Sequence, residues 1–175
     1  MSSSIERLLR AWLIFVLATP LIFGTELLYP FIVYRTYFFF FVVSGAFVLF
    51  ISRHGFSWLS SFKTNPQLRA IGVFVAAVAL SDILGVNPWF SFWGNYERMM
   101  GLLLLLHLVA YLIMLVSVFR SVAQYRMVLM TSVVSSTLVA MYGLLQSSGL
   151  AFRINQIDER LFSTIGNPAF LAGFR

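Results

Sequence analysis

Between Leu102 and Val118 the chain runs through leucine, valine, isoleucine and methionine without a charged residue. In lipid the backbone of such a segment must satisfy its own hydrogen bonds, and an α-helix does this residue by residue. About 20 apolar residues are enough to cross a bilayer. Similar runs predict five complete spans, at about 11–30, 37–52, 70–86, 101–119 and 127–146, and the start of a sixth near Pro168. Hydrophobic residues make up 60% of the chain and charged ones 10%, against roughly 25% charged in an average globular domain. The expectation is an all-α, polytopic membrane helical bundle. No strict two-residue alternation marks a transmembrane β-barrel.

Composition also narrows the chemistry. Cysteine is absent, which removes disulfides, thiol catalysis and cysteine-held metals. The two histidines are far apart in sequence, so neither a metal site nor a cofactor is expected. A net charge of +6 could suit nucleic acid, but the basic residues fall in short connections between apolar runs. That is the positive-inside distribution of a membrane protein, and no nucleic-acid partner is expected. Arg7 and Arg10 precede the first apolar run as in a signal peptide, yet the run passes Pro20 without a small-residue cleavage site. A retained first helix is therefore expected.

A cytoplasmic N-terminus would put Arg7, Arg10, Arg53, Lys63, Arg69, Arg120 and Arg126 inside, and Arg35, Arg98, Arg153 and Arg160 outside. That seven-to-four excess of basic residues inside favours the N-in orientation. The connection from Ser52 to Arg69 reads as an interfacial segment, with Phe56, Trp58 and Phe62 dipping into lipid. With no internal repeat or linker, residues 1–175 are expected to form a single membrane domain.

The stretch from Asn87 to Met100 packs Trp89, Phe90, Phe92, Trp93 and Tyr96 around a Gly94-Asn95 turn, then reaches Glu97 and Arg98. Such aromatic residues favour the membrane–water interface. Arg98 could grip a phosphate through two parallel hydrogen bonds, or serve as an ordinary interfacial anchor paired with Asp82 or Glu97. Asp82, near the end of the third run, needs a partner in lipid, for which Arg98 and Arg35 are the candidates. His107 and Tyr111 are one helical turn apart and share a face. The histidine could act as a base or proton relay, or be neutral and hydrogen-bonded to a neighbouring helix. Pro20 should kink the first helix. Near the end of the chain, Asn167 and Pro168 suit a helix cap and its first turn. Free amides there, with Arg160 nearby, would attract an anion.

Two segments together resemble the O-antigen ligase and O-antigen polymerase family of bacterial membrane glycosyltransferases. They are Ser91-Phe-Trp-Gly-Asn-Tyr-Glu-Arg-Met-Met-Gly-Leu102 and Arg160-Leu-Phe-Ser-Thr-Ile-Gly-Asn-Pro-Ala-Phe-Leu-Ala172. The resemblance implies a bundle of roughly a dozen helices with a large outer loop late in the chain. It also implies transfer of a glycan from an undecaprenyl-diphosphate carrier to a lipid or glycan acceptor hydroxyl, without a metal, at the bacterial inner membrane. Carried over by motif, Arg98 and Arg160 become diphosphate or glycan contacts, and Asn167 with Pro168 the turn that positions them. Ala169 stands where many relatives have Asn, and His107 does not match the family's loop histidine. The chain stops about two turns into an apolar helix, so an N-terminal fragment is expected, with its main catalytic loop beyond residue 175. The rival expectations are a transporter or flippase segment for lipid-linked cargo and a non-enzymatic scaffold subunit.

Overall fold

The computed structural model describes residues 2–24, 31–95, 99–149 and 163–166. Every regular element among them is helical, and no strand occurs there. Helix α1, Ser2–Phe15, is followed by a 3-10 segment, Val16–Leu21. Helix α2 spans Val33–His54, and a 3-10 turn and the one-turn α3, Ser61–Thr64, lead to α4, Pro66–Leu84. The short α5, Pro88–Trp93, precedes α6, Leu102–Val118, and α7, Val122–Ser147. Helices α2, α4 and α7 are long and apolar enough to cross a membrane, and α6 is a shorter apolar helix.

Four of the five expected runs thus coincide with helices whose ends move by a few residues. The first does not form one helix. Its α-helix begins at Ser2 and ends at Phe15, before tightening into the 3-10 segment that contains Pro20. Pro20 has no N–H, and its ring crowds the carbonyl one turn earlier, so the i→i−4 ladder cannot continue through it. Backbone released in this way needs other partners in an apolar setting. The Tyr111 hydroxyl donates to the Leu13 carbonyl at 3.0 Å, and Ser135 Oγ donates to the Leu17 carbonyl at 2.9 Å. Thr164 Oγ1 donates to the Pro20 carbonyl at 2.8 Å.

The chain divides into two compact units. The first comprises Met1–Leu13 with Phe40–Arg120, and the second Ile14–Phe39 with Ser121–Arg175. In the first, Leu9 and Leu13 of α1, Val42, Val43, Ala46 and Phe50 of α2, and Ile113, Met114 and Val118 of α6 are buried. Spacings of three and four put each set on one helical face. Helix α4 is apolar all round from Ala70 to Leu80 and buries only Leu68, which suits lipid contact along most of its length. Trp58 packs edge-on against Phe47 and Phe62, at 6.4 and 5.9 Å between ring centres, so it faces protein as much as lipid. Phe56 is 69% exposed, as an interfacial residue would be.

In the second unit α7 packs along the 3-10 segment. Its buried residues are Ser135, Val139, Gly143 and Gln146, a single narrow face of small or polar side chains. Small residues let helices approach closely where the hydrophobic effect cannot drive them together.

Candidate functional site

Asn87 starts the aromatic segment as a helix cap. Its side chain accepts the Phe90 N–H at 3.1 Å, and Pro88 takes the first helical turn, where its missing N–H costs nothing. Trp89 and Trp93 meet edge-to-face at 5.5 Å between centres, and Trp89 is 72% exposed. Gly94 then ends α5 with a φ of +78°. A Cβ on it would lie 2.5 Å from the Gly101 nitrogen and 2.7 Å from the Met100 nitrogen. Only glycine combines that left-handed backbone with so close an approach of two chain segments. The Met99 N–H donates to the Asn95 carbonyl at 2.6 Å, and Met99 is buried. Both ends of the connection that carries Glu97 and Arg98 are therefore held. Glu97 and Arg98 themselves lie outside the described residues, as do Arg160, Asn167 and Pro168.

Asp82 is in the last turn of α4, half-buried, and its carbonyl accepts the Gly85 N–H at 3.3 Å. Among the described residues no ion pair reaches its carboxylate. Arg35, one of its two expected partners, donates elsewhere.

His107 is engaged on both ring nitrogens. Nδ1 lies 2.8 Å from the Leu103 carbonyl, which can only accept, so Nδ1 carries the proton. In the neutral ring Nε2 is then an acceptor, and Ser44 Oγ stands 3.0 Å away as its donor. Phe40 stacks at 4.4 Å between ring centres. The geometry is that of a histidine tying α6 to α2. Tyr111, one turn on, uses its hydroxyl on α1. Together they bind one face of α6 to two neighbours.

The second unit holds a polar cluster that sequence reasoning did not assemble. Ser163, Thr164 and Ile165 are buried, although two of the three are polar. The Ser163 N–H donates to Gln146 Oε1 at 2.8 Å, and Ser163 Oγ donates to the Val139 carbonyl at 2.6 Å. Arg35 Nη2, from the first turn of α2, donates to the Thr164 carbonyl at 2.8 Å. The turn has Ser163 at φ +49° and Gly166 at φ +80°. A Cβ at Gly166 would collide with the Phe31 ring. Ser163–Gly166 is thus clamped by α2, α7 and the 3-10 segment, immediately before Asn167-Pro168. Gln146 and Arg35 stand at the edges of apolar runs, but their common target is more than a hundred residues from Arg35. No local pattern points to it.

Among the described residues no group of three or more His, Asp or Glu side chains could hold a metal ion. Searches against protein-family models, curated proteins and solved structures found no match for this chain.

Proposed function

We propose that this chain is the N-terminal membrane part of an O-antigen ligase-like enzyme. That enzyme would transfer a glycan from an undecaprenyl-diphosphate carrier to an acceptor hydroxyl at the outer face of a bacterial inner membrane. In this proposal the chain is multi-pass, with five complete spans, the start of a sixth and a cytoplasmic N-terminus. One observation supports it above the others. Arg35, inside a span-length helix, holds the Ser163–Gly166 turn that leads into Asn167-Pro168, half of the family resemblance. Asn65-Pro66 and Asn87-Pro88 both cap helices, with the asparagine side chain accepting backbone N–H groups. Asn167-Pro168 is proposed to do the same, and to turn free amides toward an anion.

The bond from the anomeric carbon to the carrier's phosphate oxygen breaks, leaving extra negative charge on the diphosphate. Arg98 and Arg160 are proposed to neutralise that charge, each offering two parallel N–H donors. Arg35 acts as a positioning residue for the turn. The acceptor's proton is proposed to go to the loop histidine that the family resemblance implies.

Native mass spectrometry of the purified chain in nanodiscs, with undecaprenyl diphosphate or undecaprenol added, tests the proposal. The diphosphate should be retained about tenfold better or more, given two charge-assisted contacts. Arg98→Ala combined with Arg160→Ala should remove most of that preference. Equal retention of the two lipids, or an unaltered double variant, would overturn it.

A further inference from the structure

Arg35, in the first turn of α2, is half-buried and has no counter-ion among the described residues. The ion pair found there joins Arg10 to Glu6. Arg35 Nη2 donates to the Thr164 carbonyl at 2.8 Å, a bond that orients the guanidinium without neutralising it. Its Nε is buried with no hydrogen-bond partner. Nη1 makes no bond among the described residues either and, unlike Nε, is not sealed off. A charge taken out of water is costly unless it is paired. This guanidinium therefore calls for an anion from outside the described residues.

The place of Arg35 on its helix indicates where that anion lies. Helix α2 has 22 residues and is apolar enough to cross a membrane. At 1.5 Å per residue it is about 33 Å long, against roughly 30 Å of hydrocarbon in a bilayer. A side chain in its first turn thus reaches the headgroups, where phospholipids carry their phosphate. Phe38, three residues further into the helix and on the same side, meets Phe15 edge-on at 5.4 Å between ring centres. Phe15 is 54% exposed, an apolar surface on which an acyl chain descending from the phosphate can lie. The charges match as well, since a phosphodiester brings one negative charge to one guanidinium and a diphosphate brings more. Thr164 is held in a turn that Gln146 and the Val139 carbonyl also clamp, so the cation is positioned before any ligand arrives.

We propose that Arg35 binds the phosphodiester of a membrane phospholipid through Nη1, with an acyl chain laid over Phe38 and Phe15. The site stands apart from the glycan-transfer proposal, which gives Arg35 only the turn to hold.

Native mass spectrometry of the purified chain in a neutral detergent, titrated with dioleoyl phosphatidylglycerol or dioleoylglycerol, provides the test. The two lipids share their acyl chains and differ in the phosphate headgroup. Phosphatidylglycerol should bind about fivefold tighter or more, and Arg35→Gln should remove most of that preference. Arg35→Lys keeps the charge and should keep part of the preference. Ser163→Ala removes the hydroxyl bond to the Val139 carbonyl, loosens the turn without altering Arg35, and should leave the preference intact. An unaltered preference in Arg35→Gln, or an equal loss in Arg35→Lys or Ser163→Ala, would overturn the site. Displacement of the lipid by millimolar inorganic phosphate would identify a soluble anion as the ligand and overturn the lipid assignment. Tighter binding of undecaprenyl phosphate than of phosphatidylglycerol, with the same dependence on Arg35, would give the site to a carrier lipid and overturn the phospholipid.

Discussion

Individual side chains in this protein are used mainly to occupy backbone groups that lipid cannot solvate. Tyr111, Ser135, Thr164 and Arg35 each donate to a main-chain carbonyl far away in sequence. Hydrogen bonds to charged groups contribute about 1.5–3 kcal/mol, more than the neutral bonds around them. Arg35→Ala leaves the Thr164 carbonyl without that donor and should loosen the turn specifically. The expected outcome is a fall of about tenfold or more in hydrogen-exchange protection of the Ser163 amide, from a loss of about 1.4 kcal/mol or more. Unchanged protection in the variant would mean that the serine and threonine bonds suffice. The residues with clear sequence signatures fared unevenly. Gly94, read as part of a turn, occupies a left-handed position where two backbones meet. His107, read either as a base or proton relay or as a residue bonded to a neighbouring helix, meets the Ser44 hydroxyl of α2. Only the folded chain reveals that serine as its neighbour.

Helix boundaries follow local chemistry. Asn65 accepts the N–H groups of Gln67 and Leu68 at 3.0 and 3.3 Å, and Pro66 begins α4. Ser121 and Gln124 form a reciprocal capping box at the start of α7. Asn65→Ala should therefore cost about 1 kcal/mol, whereas Asn65→Asp keeps an acceptor and should cost less. Thermal unfolding in detergent checks the order of the two variants. An alanine variant as stable as wild type would show that α4 begins by packing alone. The first apolar run shows where local signals fall short. Pro20 announces a disturbance, but a kinked α-helix and a 3-10 segment are both available responses. Hydroxyl donors from Ser135 and Thr164 are placed to receive the carbonyls of the tighter form.

At the scale of the whole molecule, the cysteine-free sequence makes topology directly measurable, since a single introduced cysteine has no background. In the proposed five-span arrangement, cysteines replacing the exposed Ser4, Ser60 or Ala123 should be labelled by an impermeant maleimide only after the membrane is opened. Cysteines replacing the exposed Asn95 or Ser148 should be labelled in intact spheroplasts. Labelling of Ser60→Cys and Asn95→Cys from the same side would remove α4 as a span. Much of the helical architecture was legible in the sequence, because span-length helices depend on the number and polarity of consecutive residues. The all-helical class, four of the helices and the Asn-Pro caps are short-range properties, decided by neighbours within a turn or two. The partners of Arg35, Gln146, Ser163 and His107 and the helix-type change at Pro20 were decided by tertiary structure alone. Each depends on groups brought together from distant parts of the chain, and no local periodicity records which distant donor meets which acceptor.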